Sequence, residues 1–152
     1  MSVIPPQVIH FFEHQHFVIV STLDKDGFPH SSCKGIVRIE KDRVYLLDLY
    51  QGKTFNHLQK NTHLSLTAVD EHRFRGYTLK GEGRIVQLTP SRKELLKAWE
   101  RVISQRLTHR LLKNIQGERG HPAHPEVLLP SPKYLIEVKI KEIVDLKPKH
   151  IE

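Results

Sequence analysis

The fold of this chain is decided by residues 17–61, FVIVSTLDKDGFPHSSCKGIVRIEKDRVYLLDLYQGKTFNHLQKN. Residues 17–23 are apolar and rich in β-branched side chains, which predicts a strand buried on both faces. The Asp26-Gly27 pair tolerates the positive φ that a hairpin turn demands. The chain is therefore expected to reverse here and to run back as a second strand over residues 29–39.

The second half of this stretch predicts the start of a helix that binds phosphate. After another reversal at residues 40–43, residues 44–49 read as a third strand, and Gly52 precedes a helix with Lys53 and Thr54 in its first turn. The first backbone amides of a helix have no partner inside it, and together with the helix dipole they attract anions. A phosphate group is therefore expected beside the lysine and the threonine.

Length and cysteine content limit the class of protein. A chain of 152 residues is the size of one domain, so we expect a single domain over residues 1–152. The single cysteine, Cys33, excludes an internal disulfide and Cys-based metal clusters, and it predicts a reducing, cytoplasmic setting. The apolar runs are far shorter than the roughly 20 residues of a membrane span. The N-terminal residues also lack the pattern of a signal peptide.

The formal charge of +7 admits two interpretations. A basic surplus is typical of proteins that bind nucleic acid, and it also suits a protein with an anionic cofactor. The sequence contains no run of five or more Lys or Arg residues, and Phe and Tyr fall mostly on apolar faces. Single-strand grooves usually interleave aromatic and basic residues, so the pattern counts against nucleic acid.

The rest of the chain predicts a mainly β protein with flanking helices. Alternating apolar and polar residues predict three further strands, at residues 64–69, 77–88 and 134–146, the last a closing strand with one wet face. Prolines near the start of helical patterns predict a short helix at residues 5–14 and a long helix at residues 90–115. Ser91 and Glu94 have the spacing of a capping box. Gly81 and Gly83 share one strand face, where a strand bends or something flat packs.

A row of polar residues, His30 to Lys34, interrupts the second strand. Such groups destabilise a buried strand unless partners satisfy them. Either a polar ligand meets them, or this is an edge strand whose polar face meets water. Cys33 is interpreted as a small buried residue that fills space in the core. It is not interpreted as a nucleophile, because the sequence places no His and no acidic residue beside it.

The histidines predict no metal site. His10, His14 and His16 lie close in sequence without a cysteine or a carboxylate pair, and His121 with His124 makes only two ligands. These last two belong to a Gly- and Pro-rich connection, residues 116–133, which is either functional or laid over another surface.

In three segments that follow one another in order, the chain resembles the pyridoxamine 5′-phosphate oxidase-like superfamily, the FMN-binding split β-barrels. The segments are GFPHSSCKG (27–35), VYLLDLYQGKTFNHLQKN (44–61) and GYTLKGEGRIV (76–86), and the resemblance covers roughly residues 8 to 89. It implies a split β-barrel of six to seven antiparallel strands. It also implies a homodimer with FMN in the cleft between the subunits.

The resemblance further implies which residues bind the cofactor. They are His30, Ser31, Ser32, Cys33 and Lys34 along the isoalloxazine ring and ribityl chain, Leu47 and Asp48 on the next strand, and Lys53 with Thr54 at the phosphate. Thr54 stands where a second basic residue is usual, and Asp48 where a neutral hydroxyl is more frequent.

The resemblance implies an FMN-dependent oxidoreductase in which the flavin performs the transfer and no catalytic side chain is identified. Lys34 beside the N1/O2 edge would stabilise the charge of the reduced flavin, and NADH or NADPH is the electron donor to test. The C-terminal signature of the vitamin B6 oxidases is not found in residues 134–152, so vitamin B6 oxidase activity is not expected, and the sequence does not identify the substrate. The alternatives are a split barrel that binds F420 or haem, and a non-enzymatic barrel that binds nucleic acid; an absorption spectrum separates them.

Overall fold

The computed structural model describes residues 3–128 and 130–151. Within them the chain forms two compact units: the first comprises the residues up to Val86 together with those from Leu135 onward, and the second runs from Gln87 to Tyr134. The expectation of a single domain over residues 1–152 stays a prediction.

The first unit contains a closed, antiparallel β-barrel. In chain order the elements of the whole structure are α1 (Pro6–Glu13), β1 (Val18–Leu23), β2 (Pro29–Glu40), β3 (Arg43–Leu47), α2 (Lys53–Lys60), β4 (His63–Asp70), β5 (Arg75–Gln87), α3 (Lys93–Ile115) and β6 (Tyr134–Asp145). The strands follow one another around the barrel as β1-β2-β3-β6-β5-β4. The predicted mainly β fold, a barrel of six antiparallel strands with helices, is confirmed.

The hairpin between β1 and β2 forms as the sequence predicts. Asp24 Oδ1 accepts hydrogen bonds from the backbone amides of Asp26 and Phe28, both at 2.9 Å. Gly27 has φ of 82°, a backbone conformation that residues with a side chain rarely adopt. The turn therefore sets the register in which β1 and β2 pair.

The two glycines of β5 let neighbouring parts of the barrel approach closely. A Cβ atom at Gly81 would collide with the backbone carbonyl of Lys139 on β6, and one at Gly83 would collide with the side chain of Leu64 on β4. Of the two alternatives that the sequence left open, a bend or close packing, the structure shows close packing, against backbone of β6 at Gly81 and against a side chain of β4 at Gly83.

One expectation about strand faces is wrong and another holds only in part. β1 alternates, with Val18 and Val20 buried and Ile19 and Ser21 only half-buried, because its second face is not covered as the first is. The predicted solvent-exposed face of β6 is present at Lys141, but Glu137 on the same face is 4% exposed. Ion pairs with arginines of β3 and β5 allow this carboxylate to be buried.

The second unit contains α3 and the connection that follows it. The helix begins at Lys93, its N-cap is Arg92, and no side chain caps it. The predicted capping box is wrong, because the hydroxyl of Ser91 is bonded to that of Thr89 at 2.7 Å. Among the described residues, no helix combines the length and the apolar character needed to cross a membrane.

Candidate functional site

Three side chains of the polar row on β2, His30, Ser32 and Lys34, lie on the inner face of the barrel wall. The register pairs them with residues of β1 that face inward, namely Thr22, Val20 and Val18, and directly opposed residues of neighbouring strands share a face. β2 pairs with β1 through residues 29–34 and with β3 only through residues 35–40, so the segment that contains the polar row has a strand partner on one side, as an edge strand has. The three inward-facing side chains are half-buried and find partners within the fold.

Helix α2 supplies several of those partners. Thr54 Oγ1 lies 2.8 Å from Ser32 Oγ, and His57 Nδ1 lies 2.9 Å from Thr22 Oγ1. The rings of His30 and His57 meet edge to face at 5.3 Å between centroids. Thr54 is 2% exposed, and the bond between its hydroxyl and that of Ser32 holds α2 against β2. A direct contact of this hydroxyl with a ligand stays a prediction.

Lys34 and Asp48 form a buried ion pair at the end of β3. Lys34 Nζ donates to Asp48 Oδ1 at 2.7 Å, and the two side chains are 14% and 1% exposed. The backbone amide of Tyr50 also donates to Asp48 Oδ1, at 3.4 Å. Asp48 is the counter-ion of Lys34, so the pair adds a strong local dipole to the site and no net charge.

The other face of β2 is open. Ser31 and Cys33 are exposed, and Ser31 Oγ lies 3.2 Å from Ser21 Oγ on β1. Cys33 stands opposite Ile19, on the face that points away from the core. The expectation that Cys33 fills a buried space is therefore wrong.

The N-terminus of α2 keeps the features that an anion site requires. Its N-cap is Gly52, which has no side chain to occupy the first-turn amides. Lys53 is exposed and makes no ion pair with any residue in the described part of the chain. The helix is held in place by the bond between Thr54 and Ser32, so the amides and the ammonium group are presented from a fixed position.

The structure brings some of the nine predicted cofactor residues together and separates others. Ser32 contacts Thr54, and Lys34 contacts Asp48. Leu47, opposite Gly35 on β2, is 4% exposed, so its side chain packs in the fold.

Sequence reasoning missed Thr22 and His57, which belong to the same polar cluster. The signal for His57 was available, since Thr54, His57 and Leu58 lie at i, i+3 and i+4 on one face of α2. The row predicted from His30 to Lys34 is divided between the two faces of β2. His30, Ser32 and Lys34 lie on the inner face, and Ser31 and Cys33 are exposed.

A groove of about 460 Å³ opens beside the exposed face of β2. Ser21 lines it and also contacts Ser31, so the two surfaces adjoin. Ser65, Thr78 and Lys80 contribute further polar groups. Glu82 and Glu142 also line the groove, and the rest of its lining is mainly apolar.

Glu137 forms a charged cluster elsewhere on the barrel. Its carboxylate accepts from Arg84 Nε at 2.7 Å and from Arg43 Nη1 at 3.1 Å. Burial by itself raises the pKa of this carboxyl, but the hydrogen bond and charge of Arg84, with Tyr45 and Arg43, hold it below its ordinary value. Burial and the neighbouring Glu137 raise the pKa of Tyr45. Glu137 therefore stays ionised and stabilises the barrel wall.

No metal centre is visible among residues 3–128 and 130–151, where no three His, Cys, Asp or Glu side chains converge. His14 Nδ1 lies 2.8 Å from the carbonyl of His10, which is a local contact within α1 and its C-cap.

Comparison with known families identifies the family to which this chain belongs. The profile of the family described as Pyridoxamine 5′-phosphate oxidase matches residues 4–145. The chain belongs to the pyridoxamine 5′-phosphate oxidase family. The closed barrel of six antiparallel strands is consistent with this family. No curated protein matches this chain significantly.

Solved structures agree with the family in fold. HupZ of Group A Streptococcus is 19% identical, with a TM-score of 0.66 over 95% of this chain and 94% of that one. An F420 reductase is 14% identical, with a TM-score of 0.60 over 93% and 98%. HutZ, the haem storage protein of Vibrio cholerae, is 15% identical, with a TM-score of 0.57 over 91% and 92%. At these identities the likeness establishes the fold alone.

Proposed function

We propose that this member of the pyridoxamine 5′-phosphate oxidase family binds FMN and works as a flavin-dependent oxidoreductase on an unidentified substrate. The observation that carries the proposal is the start of α2. There, Gly52 leaves the first-turn amides without a side-chain cap, and Lys53 adds an exposed ammonium group. A phosphate monoester satisfies both sets of donors.

The residues around this helix fit the rest of FMN. Lys53 and the first-turn amides would hold the phosphate, while Ser31 and Cys33 offer an exposed strand face to the ribityl chain and ring. The groove of about 460 Å³ beside Ser31 gives space for a flat ligand or its reaction partner. Thr54 fits a supporting role, because its hydroxyl is bonded to Ser32. When bound, FMN supplies hydride or electron transfer.

The chain's own residues would tune and enclose that chemistry. The Lys34–Asp48 pair lies on the opposite face of β2 from Ser31 and Cys33, so it would act on the ligand only as a dipole, because the carboxylate offsets most of the charge of the ammonium group. The lysine is therefore expected to stabilise an anionic ring less than an unpaired lysine would. The bonds from α2 to β1 and β2 keep the phosphate donors at a fixed position during turnover.

The partners and the setting follow from the same proposal. We place FMN at the interface of a homodimer, with NADH or NADPH as the electron donor. The single cysteine, which is exposed, agrees with a reducing cytoplasm. F420 and haem are the competing ligands, since one structural neighbour is an F420 reductase and another a haem storage protein.

The first experiment is to purify the chain without added flavin, record its absorption spectrum and identify any bound cofactor by mass spectrometry. A flavin spectrum that bleaches with NADH or NADPH supports the proposal. A Soret band, or an F420 spectrum, replaces FMN by the corresponding ligand.

The second experiment tests the phosphate site itself. Replacing Lys53 by Ala should weaken FMN binding about tenfold, because one charge-assisted contact is lost. Riboflavin lacks the phosphate, so its affinity should not change. The matched control is Lys60→Ala at the other end of α2, where the side chain is also exposed. Equal effects of the two substitutions on FMN, or an equal loss of riboflavin affinity, would show that the phosphate does not lie at this helix.

A further inference from the structure

The second unit contains a basic cavity that the FMN proposal does not use. It has a volume of about 340 Å³ and adjoins the C-terminal end of α3. The polar residues that line it are Arg110, Asn114, Arg119 and His121, and none of the lining residues in the described part of the chain is acidic. The charge of the wall is therefore positive.

The acceptor atoms of the lining side chains are already occupied. Asn114 Oδ1 accepts from the backbone amide of Gly120 at 3.1 Å. His121 Nδ1 accepts from the backbone amide of Ala123 at 3.0 Å, which leaves Nε2 to carry the proton of the neutral ring. Asn114 can therefore offer its amide NH₂ group to a ligand, and His121 can offer its Nε2–H group.

The C-terminal carbonyls of α3 are covered as well. The amide of Glu118 donates to the carbonyl of Lys113 at 2.9 Å, and the amide of Gly117 donates to that of Asn114 at 3.1 Å. Gly117 has φ of 91°, which permits this tight turn. The negative end of the helix dipole is thus partly offset where the cavity begins.

Arg110 is held in a fixed orientation by residues behind the cavity. Glu126, 5% exposed, accepts from Arg106 at 3.2 Å and from Arg110 Nε at 2.9 Å. Arg110 Nη2 donates to His124 Nε2 at 2.8 Å. Burial, followed by the charge of Arg110, lowers the pKa of His124, so this ring stays neutral and able to accept. The remaining Nη1 group of Arg110 has no partner among the described residues.

Arg119 adds a second guanidinium group to the wall. It is exposed and makes no ion pair or hydrogen bond within residues 3–128 and 130–151. Two guanidinium groups, an imidazole N–H and an amide NH₂ therefore meet one cavity, and donors of this kind are the usual partners of an oxyanion.

We propose that this cavity binds the phosphate group of a phosphate ester. A phosphate offers three terminal oxygens to the donors of three different side chains, whereas a carboxylate offers only two oxygens in one plane. The volume exceeds that of a phosphate group, and Pro122 and Val127 line the remaining wall. They would contact the organic part of the ester. The site lies wholly in the second unit and shares no residue with the start of α2.

The test is a titration of the full ¹⁵N-labelled chain with inorganic phosphate and, separately, with phenyl phosphate, followed by NMR. We expect saturable shifts of the Gly120 amide and the Arg119 Nε resonance with both probes. Phenyl phosphate should bind more tightly, because its ring contacts Pro122 and Val127. Shifts that grow linearly without saturation, or equal affinity for the two probes, would overturn the proposal.

A matched pair of variants separates this site from surface charge in general. Arg119→Gln should weaken phosphate binding at Gly120 about tenfold. Arg101→Gln removes the same charge from an exposed position on α3 outside the cavity and should leave that affinity unchanged. Equal weakening by both variants would contradict a specific site. The amide of Lys53 reports the start of α2 separately, so failure of one site is visible independently of the other.

Discussion

The ion pair of Lys34 and Asp48 gives the strongest quantitative prediction. Their charged atoms lie 2.7 Å apart, so the gross attraction is about 6 kcal/mol at an effective dielectric constant of about 20. Removing the two ions from water costs several kcal/mol each, so the net contribution of the intact pair is small. The large effect should appear when only one partner is removed.

Lys34→Met should lower the free energy of unfolding by about 3–5 kcal/mol, since it removes the ammonium group that lies beside a carboxylate only 1% exposed. Asp48→Asn should cost less, because the lysine is 14% exposed and can reach water. The double variant should be no less stable than Lys34→Met alone. The coupling energy from the cycle is then at least as large as the cost of Asp48→Asn alone.

The assay is urea unfolding of the cofactor-free chain, followed by circular dichroism, with the midpoint and slope compared for the four proteins. Lys60→Met serves as the control, because this exposed lysine should change stability by less than about 0.5 kcal/mol. If the costs of the single substitutions add to that of the double variant within about 0.5 kcal/mol, the two charges are not coupled and the reasoning fails.

Two further predictions concern the barrel. Because the pKa of Glu137 lies below its ordinary value, its contribution to stability is present at neutral pH and is lost as the pH falls below about 4.5 towards the folded-state pKa. Glu137→Gln should therefore lower the unfolding free energy at pH 7 by about 1–2 kcal/mol and flatten the acid limb of a stability profile; parallel curves would contradict this. Gly81→Ala should sharply lower the melting temperature and soluble yield, since the new methyl group meets the backbone of Lys139. Gly120→Ala, which meets nothing within 4 Å, should change neither; similar melting temperatures for both would refute the close strand approach.

The sequence was sufficient for several local features, although not for the cap of α3. The alternation of Leu64, Leu66 and Ala68 predicts the buried face of β4, and the structure buries all three. The Asp26-Gly27 turn is predicted because its chemistry lies within a few residues of chain. The position of Lys53 in the first turn of α2 is likewise predicted, because this lysine follows an apolar strand and Gly52. In each case the deciding interaction is between near neighbours in the chain.

Tertiary structure decided which polar groups meet. Lys34 finds Asp48 across 14 residues of sequence, and Glu137 finds Arg84 across 53 and Arg43 across 94. Closure of the barrel turned Ser32 inward toward α2 and left Cys33 exposed. A period of two predicts that alternate residues face opposite ways, but it does not predict which neighbouring element satisfies each face. Those partners are fixed only when strands far apart in the chain take up one register.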